Sequence, residues 1–191
     1  MFADLLATEG VEEIYLPGSP FGVMALHGGL EDGTDTIAHH VTELSAASLY
    51  AVIQPRGLWW HVPSIRYDPS DSAALASFLE SVEVTFSLHG FGETGFEATA
   101  LLGGTNRTLA FRLHEEFGER GVMSVVDLDA IPKRLHGTHP RNPVNRPPLG
   151  GVQVELAMEL RSGHNRQLVV DALVACITKT DLEQLGAPEG G

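Results

Sequence analysis

Two short apolar runs, residues 23–26 and 82–88, both stop at His-Gly: Leu26-His27-Gly28 and Leu88-His89-Gly90. Apolar runs of this length, bounded by turn residues, read as buried strands rather than helices. Similar runs lie at residues 13–16, 48–54, 99–102, 123–128 and 151–157. Helical patterns separate them. One starts at Thr34 or Asp35 and runs through Ile37, Val41, Leu44 and Ala47. Another spans 72–80 through Ala73, Leu75, Ala76 and Leu79. Two more cover 106–117 and 164–177. Strands alternating with helices predict an α/β fold, a three-layer α/β/α arrangement around a mainly parallel mixed sheet. The 13–16 and 23–26 strands are expected to be neighbours. A chain of 191 residues suits a single domain, with a flexible tail from about residue 183. Residues 56–71 and 129–149 read as loops.

In a parallel sheet the strand C-termini share one edge, and ligands bind there. His27 and His89 sit at two such ends, so their imidazoles can converge. Glu31 follows His27 by four residues, but Gly28-Gly29 makes a helix there unfavourable. A loop curling round an ion is the better reading. His27, Glu31 and His89 then form a two-histidine, one-carboxylate set, which suits zinc with a position left open for water. Water activated in this way needs a base for its proton. Glu155 is the candidate: an acid inside the apolar strand Gly151-Val-Gln-Val-Glu-Leu-Ala157 is costly unless paired or functional. The competing reading is a half-exposed strand with Glu155 facing solvent.

Charge and composition narrow the classes. Twelve basic against 25 acidic residues give a formal charge of −13, which disfavours nucleic acid as a partner. No apolar stretch nears the roughly 20 residues that span a membrane, and no signal peptide is visible, so a cytoplasmic protein is expected. The single cysteine, Cys176, excludes a disulfide framework and reads as a buried core thiol. Gly103-Gly104 lacks the following lysine of a phosphate loop, and no Gly-x-Ser-x-Gly elbow occurs.

Several motifs together resemble the poly-γ-glutamate hydrolase family: His27-Gly-Gly-Leu-Glu-Asp-Gly-Thr34, Phe86-Ser-Leu-His-Gly90, Leu102-Gly-Gly104, Asn145-Arg146 and Gly151-Val-Gln-Val-Glu-Leu156. The motif order holds across residues 20–161. The family, often phage-derived, cleaves γ-glutamyl amide bonds and is similar to the zinc carboxypeptidases in fold. The resemblance implies zinc as cofactor, His27, Glu31 and His89 as its ligands and Glu155 as general base. His61, in Trp60-His-Val-Pro-Ser64, also belongs to a family-like stretch. The loop after His27 has two glycines where the family more often has three, so Asp32 is the reserve ligand. The stretch before Asn145 lacks the cysteine associated with the family's Asn-Arg motif.

The implied substrate is a γ-glutamyl polymer or related peptide, and a polyanion needs local cations. Residues 133–146 supply Lys133, Arg134, Arg141 and Arg146 with His136 and His139, and no acid. Arg146 beside Asn145 is the first choice to grip a substrate carboxylate, with Arg107 and Arg161 in reserve. Two rivals stand: a zinc amidase or deacylase acting on cell-wall peptides or small acyl amino acids, and a non-catalytic binding module. A Glu155 side chain turned away from the histidines would favour the module.

Overall fold

In the computed structural model, which describes residues 1–185, the strands are β1 (Glu12–Leu16), β2 (Ser19–Gly28), β3 (Ala47–Ile53), β4 (Val84–Phe91), β5 (Thr99–Leu102), β6 (Met123–Val125) and β7 (Gly151–Ala157). They form one sheet in the order β1-β3-β2-β4-β7-β5-β6. The pairs β2–β3, β2–β4, β4–β7 and β5–β6 are parallel, while β1–β3 and β5–β7 are antiparallel. The helices are α1 (Phe2–Leu6), α2 (Thr34–Ser45), α3 (Ala73–Ser81), α4 (Arg107–Glu119), α5 (Gly163–Lys179) and α6 (Leu182–Leu185).

The sheet is covered on both faces, as strands buried on two sides require. Val23, Ala25, Leu49, Ala51, Val84, Phe86, Leu88, Val152, Val154 and Leu156 point to one face and pack with residues of α2, α4 and α5. Met24, Leu26, Tyr50 and Val52 point to the other, where Phe2 and Leu5 of α1 and Leu75 and Phe78 of α3 meet them. Side-chain caps fix the starts of two helices. Ser72 accepts from the Leu75 amide at 2.9 Å to open α3, and Asn106 accepts from the Leu109 amide at 2.9 Å to open α4.

Three expectations need correction. The strand at Glu12–Leu16 is not beside β2, because β3 and β4 take both of its edges; β1 instead borders the sheet against β3. Leu44 is 61% exposed and Ala47 already belongs to β3, since α2 ends at Ser45 and Ala46 turns the chain with φ 56°. The strand expected over 123–128 stops at Val125, and Leu128 begins a 3-10 turn. Of the stretch expected as a tail from about residue 183, residues 183–185 belong to α6, whose Leu182 and Leu185 pack against the core. The rest of that tail lies outside the described residues. Among the described residues no helix is long and apolar enough to cross a membrane.

Candidate active site

The adjacent parallel strands β2, β4 and β7 deliver His27, His89 and Glu155 to one edge of the sheet. His89 and Glu155 are register partners, as are Ser87 and Gln153. Leu88, Val154 and Leu156 face the core formed with α2, α4 and α5, so strand alternation turns Ser87, His89, Gln153 and Glu155 to the opposite face. His27 breaks that parity. It follows Leu26, which belongs to the α1/α3 core, and should therefore point the other way. Ala25 pairs with Ala51 and Gly28 with Ile53, three steps on β2 against two on β3. One extra residue in a strand re-aims the side chains around it. The bulge brings His27 onto the same face as His89.

There the three groups converge. His27 Nδ1 lies 2.8 Å from Glu31 Oε1 and 3.3 Å from His89 Nδ1. His89 Nδ1 is 3.4 Å from Glu31 Oε2. One ligand atom from each of His27, Glu31 and His89 falls within 4.8 Å of the others, and Asp32 is not among them. His27 Nε2 sits 2.8 Å from the Val62 carbonyl. A carbonyl only accepts, so Nε2 carries a proton and Nδ1 faces inward. Ser87 Oγ meets His89 Nε2 at 3.0 Å in the same outer position. Ring nitrogens this close to a carboxylate are held there by a proton or by a cation between them. Such outer partners are how metal-ligating histidines are oriented. The donor set therefore fits a divalent metal with nitrogen and oxygen preference, zinc foremost.

Electrostatics agree. Burial works against the charge on Glu31, but His89 beside it and hydrogen bonds with both histidines hold its carboxyl well below the usual range. Burial likewise opposes a charge on His89, and Glu31 outweighs it and raises the imidazole pKa. The pocket thus attracts positive charge. The Glu31 loop is held from below: the Gly90 amide donates to Glu31 Oε2 at 2.9 Å, and Arg161 Nη1 donates to the Asp32 carbonyl at 2.9 Å. Gly33, at φ 88°, lies so close that a Cβ there would stand 2.6 Å from the Arg161 carbonyl.

A cavity of about 500 Å³ opens over this edge. Its floor holds His27, Glu31, His89, Gln153 and Glu155, and one wall is the segment 133–139 with Lys133, Arg134, His136 and His139. Glu155 is 4% exposed. Burial, more than any neighbour, raises its pKa, with His89 opposing. Its strand is buried on both faces rather than half-exposed, so the alternation in the sequence marked a core face and a site face. His61 reaches the rim, with its Nε2 4.0 Å from Glu31 Oε1 and its ring 4.5 Å from that of His27. Burial and the nearby His27 lower its pKa.

The remaining expected substrate contacts are elsewhere. Arg107 Nη1 donates to the Leu102 and Gly103 carbonyls at 2.9 and 3.0 Å, and its Nη2 donates to the Val126 carbonyl, so the guanidinium ties β5 to the segment after β6. Asn145 donates to the Gly137 and His139 carbonyls at 2.7 and 3.0 Å and accepts from Thr105. It clamps the cavity wall from behind. Arg146 lies outside the cavity lining, and its charge acts on Asp68, helping the Ser70 hydrogen bonds keep that carboxyl low. Arg161 is buried beneath Gly90, not open to substrate. Asn142 and Gln153, both on the cavity lining, were not singled out by sequence. The available signal was a second polar residue two positions before Glu155 on the same strand face.

The sequence model of a family described as poly-gamma-glutamate hydrolase matches residues 10–173. A solved bacteriophage poly-gamma-glutamate hydrolase superposes with a TM-score of 0.78 at 23% identity, covering 90% of this chain and 91% of its own. A structure described as zinc-free apo YndL superposes with a TM-score of 0.76 at 21% identity, covering 88% and 90%. At these identities the two likenesses establish the shared fold. No curated protein sequence matches the chain.

Proposed function

The chain belongs to the poly-gamma-glutamate hydrolase family, and on that premise we propose that it is a zinc-dependent amide hydrolase acting on γ-glutamyl linkages. The observation that carries the reading is the convergence of His27 Nδ1, His89 Nδ1 and the Glu31 carboxylate, with Glu155 on the neighbouring strand in the same cavity. The zinc-free description of one structural neighbour is in keeping with that metal. Zinc held by His27, Glu31 and His89 supplies a Lewis acid that polarises an amide carbonyl and brings the pKa of water to about 7. Glu155 takes a proton from the attacking water and delivers it to the leaving amine nitrogen. A binding module needs no such base, and Glu155 faces the histidines' side of the sheet rather than away from it.

The cavity wall suits an anionic chain. Lys133 is exposed and has no ion-pair partner among the described residues, whereas Arg134 is engaged by Glu93. In a protein of net charge −13, this wall is where an approaching carboxylate meets cations. Lys133→Glu is expected to raise KM for poly-γ-glutamate by about three- to tenfold at low salt, with the difference shrinking as salt screens the charge. A KM ratio that does not change between low and high salt would remove Lys133 from substrate recognition.

The function itself is tested by following polymer length. Purified protein should shorten poly-γ-glutamate, stop when a strong chelator is added and resume when zinc is restored. Poly-α-glutamate should persist. Unchanged polymer in the presence of zinc-loaded protein would overturn the reading, as would cleavage indifferent to chelation.

A further inference from the structure

We propose that Gln153 is a positioning residue that aims Glu155, and that Asn142 fixes which way the Gln153 amide faces. The inference rests on Glu155 being the general base and adds the device that holds it.

Three buried side chains form a directed chain of hydrogen bonds. Asn142 Nδ2 donates to Gln153 Oε1 at 2.8 Å, and Gln153 Nε2 donates to Glu155 Oε1 at 2.8 Å. Asn142, Gln153 and Glu155 are 2%, 5% and 4% exposed. A glutamine amide could face either way, but its neighbours settle the direction. On the Nε2 side stand Glu155 and the Leu135 carbonyl, at 3.4 Å, and a carbonyl only accepts. On the Oε1 side stands the Asn142 amino group, which also donates to the Gly137 carbonyl at 3.2 Å. The Asn142 oxygen in turn caps the turn at Val144. No member can reverse without leaving a buried polar group unpaired, which is costly.

The consequence is a base held at one oxygen. Gln153 occupies Glu155 Oε1 and favours the ionised form that can take a proton. Glu155 has no other side-chain hydrogen bond among the described residues, so Oε2 is left for the attacking water. The support is shared with the basic wall. Gly137, at φ 63°, runs so close that a Cβ there would stand 2.3 Å from Gln153 Oε1. Loop 135–139 and the base therefore keep a fixed relation, which is what aligned attack requires.

The test uses the full-length zinc-loaded protein with poly-γ-glutamate as substrate. Gln153→Met keeps volume and removes the donor. It is expected to lower kcat by about ten- to a hundredfold, the scale of a small misplacement of a catalytic group, with KM within about twofold and zinc content equal to wild type. Asn142→Asp places an acceptor opposite Gln153 Oε1, so the amide turns its oxygen toward Glu155; the same kcat loss is expected with Gln153 in place. If Gln153→Met does not fold, Asn142→Asp decides. Unchanged kcat in the zinc-loaded variants overturns the proposal, and so does a loss matched by zinc loss or an equal KM rise. Glu155→Gln runs alongside. If it is inactive while Gln153→Met is unimpaired, only this inference falls. If it is as active as wild type, the assignment of the base falls and this inference with it.

Discussion

His89→Ala is expected to remove zinc binding and hydrolysis together. Wild-type protein purified without chelator should carry roughly one zinc per chain, as a catalytic site with three protein ligands does. The variant should carry almost none. The reason is the geometry around Nδ1. Among the described residues His89 contributes one of three convergent donors, and its Nδ1 stands 3.3 Å from His27 Nδ1 and 3.4 Å from Glu31 Oε2. Losing it leaves two ligands and an open site too weak to compete with water. The fold should survive, because His89 lies at the end of β4 and its backbone pairing with β7 does not depend on the side chain. The side chain lost is nevertheless buried, and Ser87 loses its partner, so a cost of about 1–3 kcal/mol is expected. Elemental analysis and a thermal melt on both proteins separate the two effects. A wild-type protein that neither carries zinc nor takes it up would defeat the metal-dependent mechanism, and so would His89→Ala with a full complement of zinc.

What the sequence revealed about this site follows from what is local. A short apolar run that stops at His-Gly marks both a strand end and a candidate ligand, so His27 and His89 were visible in the motif. The parallel sheet then required them to share an edge. Glu31 was visible as the carboxylate nearest His27, and its oxygens rather than those of Asp32 lie with the two imidazoles. Glu155 was visible because an acid amid valine and leucine is costly. What was not legible depends on partners distant in sequence. The bulge between Ala25 and Gly28 re-aims His27, and nothing in the residue pattern of β2 announces it. Asn145 was singled out by the Asn-Arg motif, and Arg107 as a reserve cation for a substrate carboxylate. In the fold their donors are consumed by backbone carbonyls of neighbouring loops. Gln153 was passed over because polar residues alternating with valine also describe a strand with one wet face. Only the covering loop 135–139 turns that face into a buried site.

Glu155→Gln is expected to lower kcat by about 10²- to 10⁴-fold, the usual contribution of a general acid–base group, while zinc content stays near wild type. The substitution keeps size and shape. Its amide oxygen can still accept from Gln153 Nε2, which now stands 2.8 Å from Glu155 Oε1, so the strand and the relay should stay in place. What is lost is the ability to take a proton from the attacking water and hand it to the departing amine. The pH profile gives a second readout with a definite sign. In the metal-free protein burial raises the Glu155 pKa, with His89 opposing. The base works ionised, so kcat/KM should fall as pH drops through the Glu155 pKa. The residual activity of Glu155→Gln should lack that acid limb. Loss of zinc from this variant would mean that Glu155 holds the metal rather than the proton. Residual activity with the acid limb intact would move the base to another group, with His61 at the rim next to be tested.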